Sequence, residues 1–239
     1  MATPAQRTNT WILDEWYDQA VAGTTGGYTA ERKLWTWGLT EAGSLGLNAG
    51  GDPGNQKRSS PTQIPGTTWS QISSTSYKSG GAIKTDGTLW VWGQNYNGAL
   101  GQNDTVQYSS PIQVGTNTDW ARVMCGNEIT LACKTDGTLW AWGKNEQGKL
   151  GLNQTFPSGR RSSPCQVGTD TTWSSAEFQS TVCDFENSTY WIKTDGTMYA
   201  WGYNPEGQLG QNDKTSRSSP TQIPGTTWSK LGGLSQGCS

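Results

Sequence analysis

The side chains most able to do chemistry are scarce in this chain and badly spaced for it. Its 239 residues include no His, which removes the commonest general base and transition-metal ligand and excludes any Ser-His-Asp set. Paired carboxylates hydrolyse glycosides, yet Asp14, Glu15 and Asp18 crowd one segment and no second acidic cluster answers them. The glycine-bearing stretches "NYNGALGQN" (95–103), "NEQGKLGLN" (145–153) and "NPEGQLGQN" (204–212) lack the Gly-Lys-Ser/Thr ending and the helix that a phosphate-cradling loop needs. They read as structural loops pinned to the core by their Leu. The five Cys, at 125, 133, 165, 183 and 238, show no C-x-x-C spacing. No catalytic residue, metal site or cofactor is expected, and the chain reads as a non-enzyme.

What the sequence does specify is a repeat. "KTDGTLWVWGQN" at Lys84 returns as "KTDGTLWAWGKN" at Lys134 and "KTDGTMYAWGYN" at Lys193. Trp-Gly occurs at 37, 92, 142 and 201, in steps of 55, 50 and 59 residues, and Ser-Ser-Pro follows it at 59, 109, 162 and 218. A Trp opening a short strand recurs at 69, 120, 173 and 228. Four units result, at about 11–68, 69–119, 120–172 and 173–227, with a closing strand at 228–239. Asp-Gly between apolar runs signals a hairpin, so Asp86-Gly87, Asp136-Gly137 and Asp195-Gly196 are assigned to tight turns, of type I′ with positive φ at both positions. Cys133 stands where other units carry Ile83 and Ile192, which suits a buried free thiol. A Cys125–Cys133 bridge across a hairpin and an interchain link through Cys238 stay open as alternatives.

Alternation along a strand points Trp90 and Trp92 to one face and Leu89 and Val91 to the other. The same pattern places Trp35, Trp37, Trp140, Trp142, Tyr199 and Trp201 in the core. Both faces being apolar, each sheet needs a neighbour on either side, and the small residues Val91, Ala141 and Ala200 leave room for the rings of the next sheet. Each Trp buries 150–250 Å², worth roughly 4–6 kcal/mol gross at ~25 cal/mol/Å². A chain with 14 Trp but only 32% apolar residues folds on few, large side chains. The expected fold is all-β: a β-propeller of four repeats of about four antiparallel strands each, with a surplus C-terminal strand and a short N-terminal anchor.

Seventeen Lys and Arg against nineteen Asp and Glu give a net charge of −2, which supplies no footprint for a nucleic-acid backbone. No run is long enough to span a membrane and the N-terminus shows no secretory h-region. Two regions stand outside the repeat. Residues 1–27, with Trp11, Ile12, Trp16, Tyr17 and Ala20, read as an anchor or cap ahead of the propeller at 28–239; an apolar set at 12, 16 and 20 suits one face of a short helix. Residues 176–189 lengthen one hairpin and add Phe178 and Phe185 as candidate contacts. The Trp228–Ser239 strand is a second candidate, able to pair with the first unit or with another copy.

The repeat unit "KTDGTLWVWGQNYNGALGQND" resembles the regulator of chromosome condensation repeat family, whose blades carry the same order of Asp-Gly, Leu-x-x-Trp-Gly and Asn-x-x-Gly-x-Leu-Gly over residues 11–233. That resemblance implies a propeller usually of seven blades, against the four units counted here, leaving a small ring, an open arc or a ring completed by a second chain. The recurring "SSPTQIPGTTWS" (59–70 and 218–229) and "TNTWILDEWYDQ" look like propeller-repeat frames of tailed phages. The implied function is a structural or binding protein of a phage particle, assembled in the host cytoplasm, whose partners are virion proteins, another copy of itself or a host-surface molecule. The alternative is a soluble protein-binding module or enzyme inhibitor of the propeller type.

Overall fold

The computed structural model describes residues 32–40, 42–48, 56–74, 78–154, 159–173, 182–185, 188–229 and 231. The chain divides after Glu31, and the fold described here is that of the unit beginning at Arg32. Trp11, Ile12, Trp16, Tyr17 and Phe178 lie outside the described residues. Phe185 is described through its backbone alone.

Among the described residues fourteen strands form four antiparallel sheets, each a meander in chain order. The first holds β1 (Trp35–Thr40) and β2 (Gln56–Gln63). The second runs β3 (Trp69–Ser74), β4 (Ser79–Lys84), β5 (Leu89–Gly93) and β6 (Tyr108–Gln113). The third runs β7 (Trp120–Cys125), β8 (Ile129–Lys134), β9 (Leu139–Lys144) and β10 (Arg160–Gln166). The fourth runs β11 (Val182–Phe185), β12 (Ser188–Ile192), β13 (Met198–Gly202) and β14 (Arg217–Ile223). A single 3-10 turn, Glu146–Gly148, is the one helical element among the described residues. This is the blade arrangement of a β-propeller.

Three of the blades have the four strands expected. The first shows two among the described residues. In the fourth blade Trp173 makes an isolated bridge to Lys193, and β11 begins at Val182, within the 176–189 stretch.

The hairpin turns differ from expectation in type. Gly87, Gly137 and Gly196 take positive φ, at 77°, 78° and 80°, whereas Asp86, Asp136 and Asp195 do not. Lys84 closes the turn by accepting from Gly87 N–H at 3.0 Å and donating its own N–H to Thr88 at 3.0 Å. These are right-handed turns followed by a left-handed glycine. The reason is local: Asp86 Oδ1 accepts from both the backbone N–H of Thr88 (3.0 Å) and its hydroxyl (2.6 Å), which holds the aspartate in the right-handed region. Asp136–Thr138 and Asp195–Thr197 repeat the arrangement.

Within each full blade the leading Trp packs edge-on against two rings of the third strand. Trp69 meets Trp90 and Trp92 at 6.4 Å, Trp120 meets Trp140 and Trp142 at 6.2 and 6.1 Å, and Trp173 meets Tyr199 and Trp201 at 5.5 and 6.0 Å. Trp92, Trp142 and Trp201 are buried, while Trp90, Trp140 and Tyr199 are half-buried. Across the joints, Val91 clusters with Trp142 of the next blade and Ala141 with Trp201, the large-on-small fit that the alternation anticipates.

Trp35 and Trp37 depart from the core assignment: they are 49% and 62% exposed. Their sequence context matches that of Trp90 and Trp92, but Trp92, Trp142 and Trp201 are each covered by a loop from the preceding blade, and no loop among the described residues covers Trp35 or Trp37 in that way. Cys125 and Cys133 do not face each other, since Cys125 pairs with Thr130 and Cys133 with Arg122. Both are buried free thiols, and Cys165 is free and half-buried.

Candidate binding surface

The joint between blades is built from the loop after each Trp-Gly. Asn95 turns its side chain inward, with Oδ1 accepting Leu100 N–H at 2.8 Å and Nδ2 donating to Asp104 Oδ1 at 2.9 Å. Asn145 holds Leu150 at 3.2 Å and Asn204 holds Leu209 at 2.8 Å in the same way. The loop so formed presents one carbonyl to the following blade. Trp92 Nε1 donates to Ser44 O at 3.0 Å, Trp142 Nε1 to Ala99 O at 2.9 Å and Trp201 Nε1 to Lys149 O at 2.9 Å. A second seam joins the edge strand β7 to β3: Val123 and Cys125 N–H donate to Gln71 Oε1 (3.0 Å) and Ser73 Oγ (2.9 Å). Side chains thereby satisfy donors that a bare edge would leave open.

A basic side chain sits between aromatic rings in every full blade. Lys84 Nζ lies 5.1 Å from Trp69 and 4.0 Å from Trp90; Lys134 lies 5.1 Å from Trp120 and 5.0 Å from Trp140; Lys193 lies 4.7 Å from Trp173 and 4.1 Å from Tyr199. Each is a cation–π arrangement. Lys134 also pairs with Asp119 at 3.1 Å and Lys193 with Asp170. Burial alone would raise the Asp170 carboxyl, but the Lys193 and Thr172 hydrogen bonds bring it below its ordinary value. These lysines were visible in the repeated Lys-Thr-Asp-Gly, yet their ring partners lie up to twenty residues away, and only the recurrence of Lys with the leading Trp hinted at a link.

The first blade opens a groove of about 490 Å³. Trp35, Trp37 and Leu39 of β1 and Ile72 of β3 line it, with exposures of 49%, 62%, 44% and 52%. Single exposed apolar side chains are ordinary; four large ones around one groove mark a contact surface. Sequence reasoning placed two of these rings in the core and did not single out Leu39 or Ile72. Of the proposed contact residues, Trp11, Ile12, Trp16, Tyr17 and Phe178 cannot be related to this groove, since they fall outside the described residues. Trp228 at the other end is 38% exposed and donates its N–H to Gly196 O at 3.0 Å, as Trp173 does to Gly137 O at 3.1 Å.

Among the described residues no three His, Cys, Asp or Glu converge to hold a metal ion. Arg122 is fully buried beside the Trp191 ring, and burial lowers its guanidinium to about 10. Cys125 and Cys133 are pushed up to about 12, in each case chiefly by burial.

The regulator of chromosome condensation (RCC1) repeat model matches residues 86–133, 136–181 and 195–230, together more than half of the chain, and a second model of the same repeat matches 121–149. The chain belongs to the RCC1 repeat family. Human WBSCR16 superposes on 81% of it with a TM-score of 0.64 at 20% identity. Prp20p from Saccharomyces cerevisiae, described with its binding to Gsp1p and histones, superposes on 81% with a TM-score of 0.64 at 16% identity. Yeast RCC1 (Prp20) bound to Kap60 does so on 82% with a TM-score of 0.66 at 17% identity. The matches cover 49%, 47% and 45% of those chains, so this RCC1-repeat chain spans about half the length of each. At such identities the likeness is one of fold, and it places the four sheets as RCC1 propeller blades. No helix among the described residues is long and apolar enough to cross a membrane.

Proposed function

We propose that this chain is a non-catalytic, protein-binding RCC1-repeat propeller, and that the groove lined by Trp35, Trp37, Leu39 and Ile72 is where it binds. The observation that carries this reading is the exposure of four large apolar side chains around one groove between two sheets, where the later rings at the position of Trp37 (Trp92, Trp142 and Trp201) are buried. The solved Prp20p structures lend support, being described with Gsp1p, histones and Kap60 as protein partners of that protein. Trp and its neighbours make effective anchors because they bury much area at little conformational cost. The test is capture by the immobilised full chain, with Trp35→Ala/Leu39→Ala alongside. A protein held by the wild type and by the variant equally would remove the groove from the account.

The finer reading is a surface protein of a tailed-phage particle, assembled in the host cytoplasm, with residues 1–27 attaching it to capsid or tail and the propeller facing virion or host-surface proteins. It rests on the resemblance of "SSPTQIPGTTWS" and "TNTWILDEWYDQ" to phage frames. Peptide mapping of purified particles tests it, and the absence of this chain would sink it. Incorporation of a chain lacking residues 1–27 would overturn the anchor role alone.

A further inference from the structure

Resting on the reading that the first-blade surface binds protein, we propose that its partner is a second copy of this chain, joined head to tail: the Trp37 indole of one copy docks into the Gly207–Gly210 loop of the next. Three joints of this kind already exist inside the chain. In each, an indole N–H donates to the second residue of Gly-x-Leu-Gly in the preceding blade: Trp92 to Ser44, Trp142 to Ala99, Trp201 to Lys149. Among the described residues, four such loops and four such Trp-Gly dipeptides make three joints, and Trp37 and the Gly207–Gly210 loop are the two halves not joined.

The donor half is free. Trp37 is 62% exposed, and among the described residues its Nε1 has no acceptor. The acceptor half is formed and open. Asn204 Oδ1 holds Leu209 N–H at 2.8 Å and Leu209 is fully buried, so the last loop has the shape of the earlier ones. A Cβ built on Gly46, Gly101 or Gly151 would stand 3.1, 2.8 or 2.9 Å from the indole of the following blade; on Gly210 it would meet only Ile223, at 3.7 Å. The seat that an indole fills three times holds no indole the fourth time among the described residues.

Hydrogen-bonding capacity matches as well. Ala99 O accepts from Thr130 Oγ1 (2.7 Å) in addition to Trp142, and Lys149 O accepts from Thr189 Oγ1 (3.0 Å) in addition to Trp201. Gln208 O accepts from the Tyr190 hydroxyl of its own blade at 2.7 Å, where Thr130 and Thr189 belong to the following blade; a second lone pair remains for Trp37. Among the described residues this joint is not made, since no strand of the last sheet pairs with the first and Trp37 stays exposed. A contact between two different surfaces is heterologous, closing into a ring where the rotation permits and extending otherwise.

Sedimentation equilibrium of the full chain over a concentration series tests this, with circular dichroism confirming that each variant folds. The wild type should gain mass with concentration. Trp37→Ala removes the indole, and Gly210→Asn puts a Cβ in the seat while keeping the left-handed backbone that Asn48, Asn103, Asn153 and Asn212 adopt elsewhere. Each should weaken association by more than about tenfold. Mixed in equal amounts they should recover a one-to-one pair, because one retains the loop and the other the indole. A wild type that stays monomeric overturns the second copy as partner. An assembly lost in Trp37→Ala but kept in Gly210→Asn overturns the head-to-tail arrangement, as does failure of the mixture to pair. A monomeric wild type whose protein capture still depends on Trp35 and Leu39 leaves the protein-binding reading standing; loss of that dependence too brings both down.

Discussion

Trp142 and Ala99 lie 43 residues apart and are joined by an indole N–H donating to a carbonyl at 2.9 Å, with the ring fully buried. The bond crosses from one blade to the one before it. Trp142→Phe keeps most of the packing and loses the bond, at an expected cost of about 1–3 kcal/mol. Trp142→Ala should cost about 3–5 kcal/mol. Trp37→Ala, at the matching but exposed position, should change monomer stability by less than about 1 kcal/mol. Urea denaturation of the three variants at low protein concentration would show it, and equal losses at 37 and 142 would refute the joint as the source of stability.

Two glycines separate backbone strain from crowding. Gly137 (φ 78°) and Gly168 (φ 62°) both lie in the left-handed region. A Cβ on Gly137 would stand 2.0 Å from the Thr171 carbonyl oxygen, whereas one on Gly168 would meet nothing within 4 Å. Gly168→Ala should therefore cost only the conformational penalty, about 1–2 kcal/mol. Gly137→Ala should cost about 1–3 kcal/mol more. Matching midpoints for the two in thermal melts would show that the hairpin tip does not press on the loop ahead of the next blade.

Asn145 is buried with its Oδ1 committed to Leu150 N–H. Asn145→Ala leaves a buried donor without its acceptor, at an expected cost of about 1–3 kcal/mol. Asn145→Asp keeps an acceptor and should recover part of the loss. Amide exchange at Leu150 reports the effect directly; unchanged protection in the alanine variant would contradict the loop-holding role.

The blade count, strand order and hairpin positions were legible because they are written in short-range patterns: Asp-Gly beside a Leu-Trp pair, Trp-x-Trp alternation, and a fixed order of markers. The turn type was not, since it depends on Thr88 and its equivalents reaching back to the aspartate. Burial of Trp35 and Trp37 was misjudged for a different reason. The tetrapeptide around Trp37 is nearly that around Trp92, but whether a ring is covered depends on a loop some fifty residues earlier in the chain, as for Trp92, Trp142 and Trp201. The groove was missed with them, because two of the residues that line it, Trp35 and Trp37, carry the sequence pattern of core positions. Asn95, Asn145 and Asn204 were seen as loop composition, and their inward side chains needed coordinates.

Acid should weaken the fold through its turns. Hydrogen bonds from Thr88, Thr138 and Thr197 hold Asp86, Asp136 and Asp195 below the ordinary carboxylate value. A depressed folded value means that the stabilisation is complete above the unfolded pKa, about 3.9, and is lost as pH falls through the folded value. Stability should hold from neutral pH to the mid-fours and decline below. Asp136→Asn should shallow that decline; an acid limb of unchanged slope would assign the loss to other carboxylates.

Thiol chemistry should sort by burial. Cys125 and Cys133, both buried and pushed up to about 12, should resist alkylation at mild alkaline pH until denaturant is added, while half-buried Cys165 should react in the native state. Peptide mapping after a short iodoacetamide pulse distinguishes the sites. Rapid labelling of Cys133 in the native protein would argue against its place in the sheet.

Every joint between blades uses the same parts, a carbonyl offered forward and an indole offered back, and no residue marks any joint as the last. Such a chain carries no ruler. Duplication or loss of one segment in the gene would lengthen or shorten the array by a whole blade and leave every remaining seam correctly matched, so that number of blades can drift between descendants faster than the residues that join them.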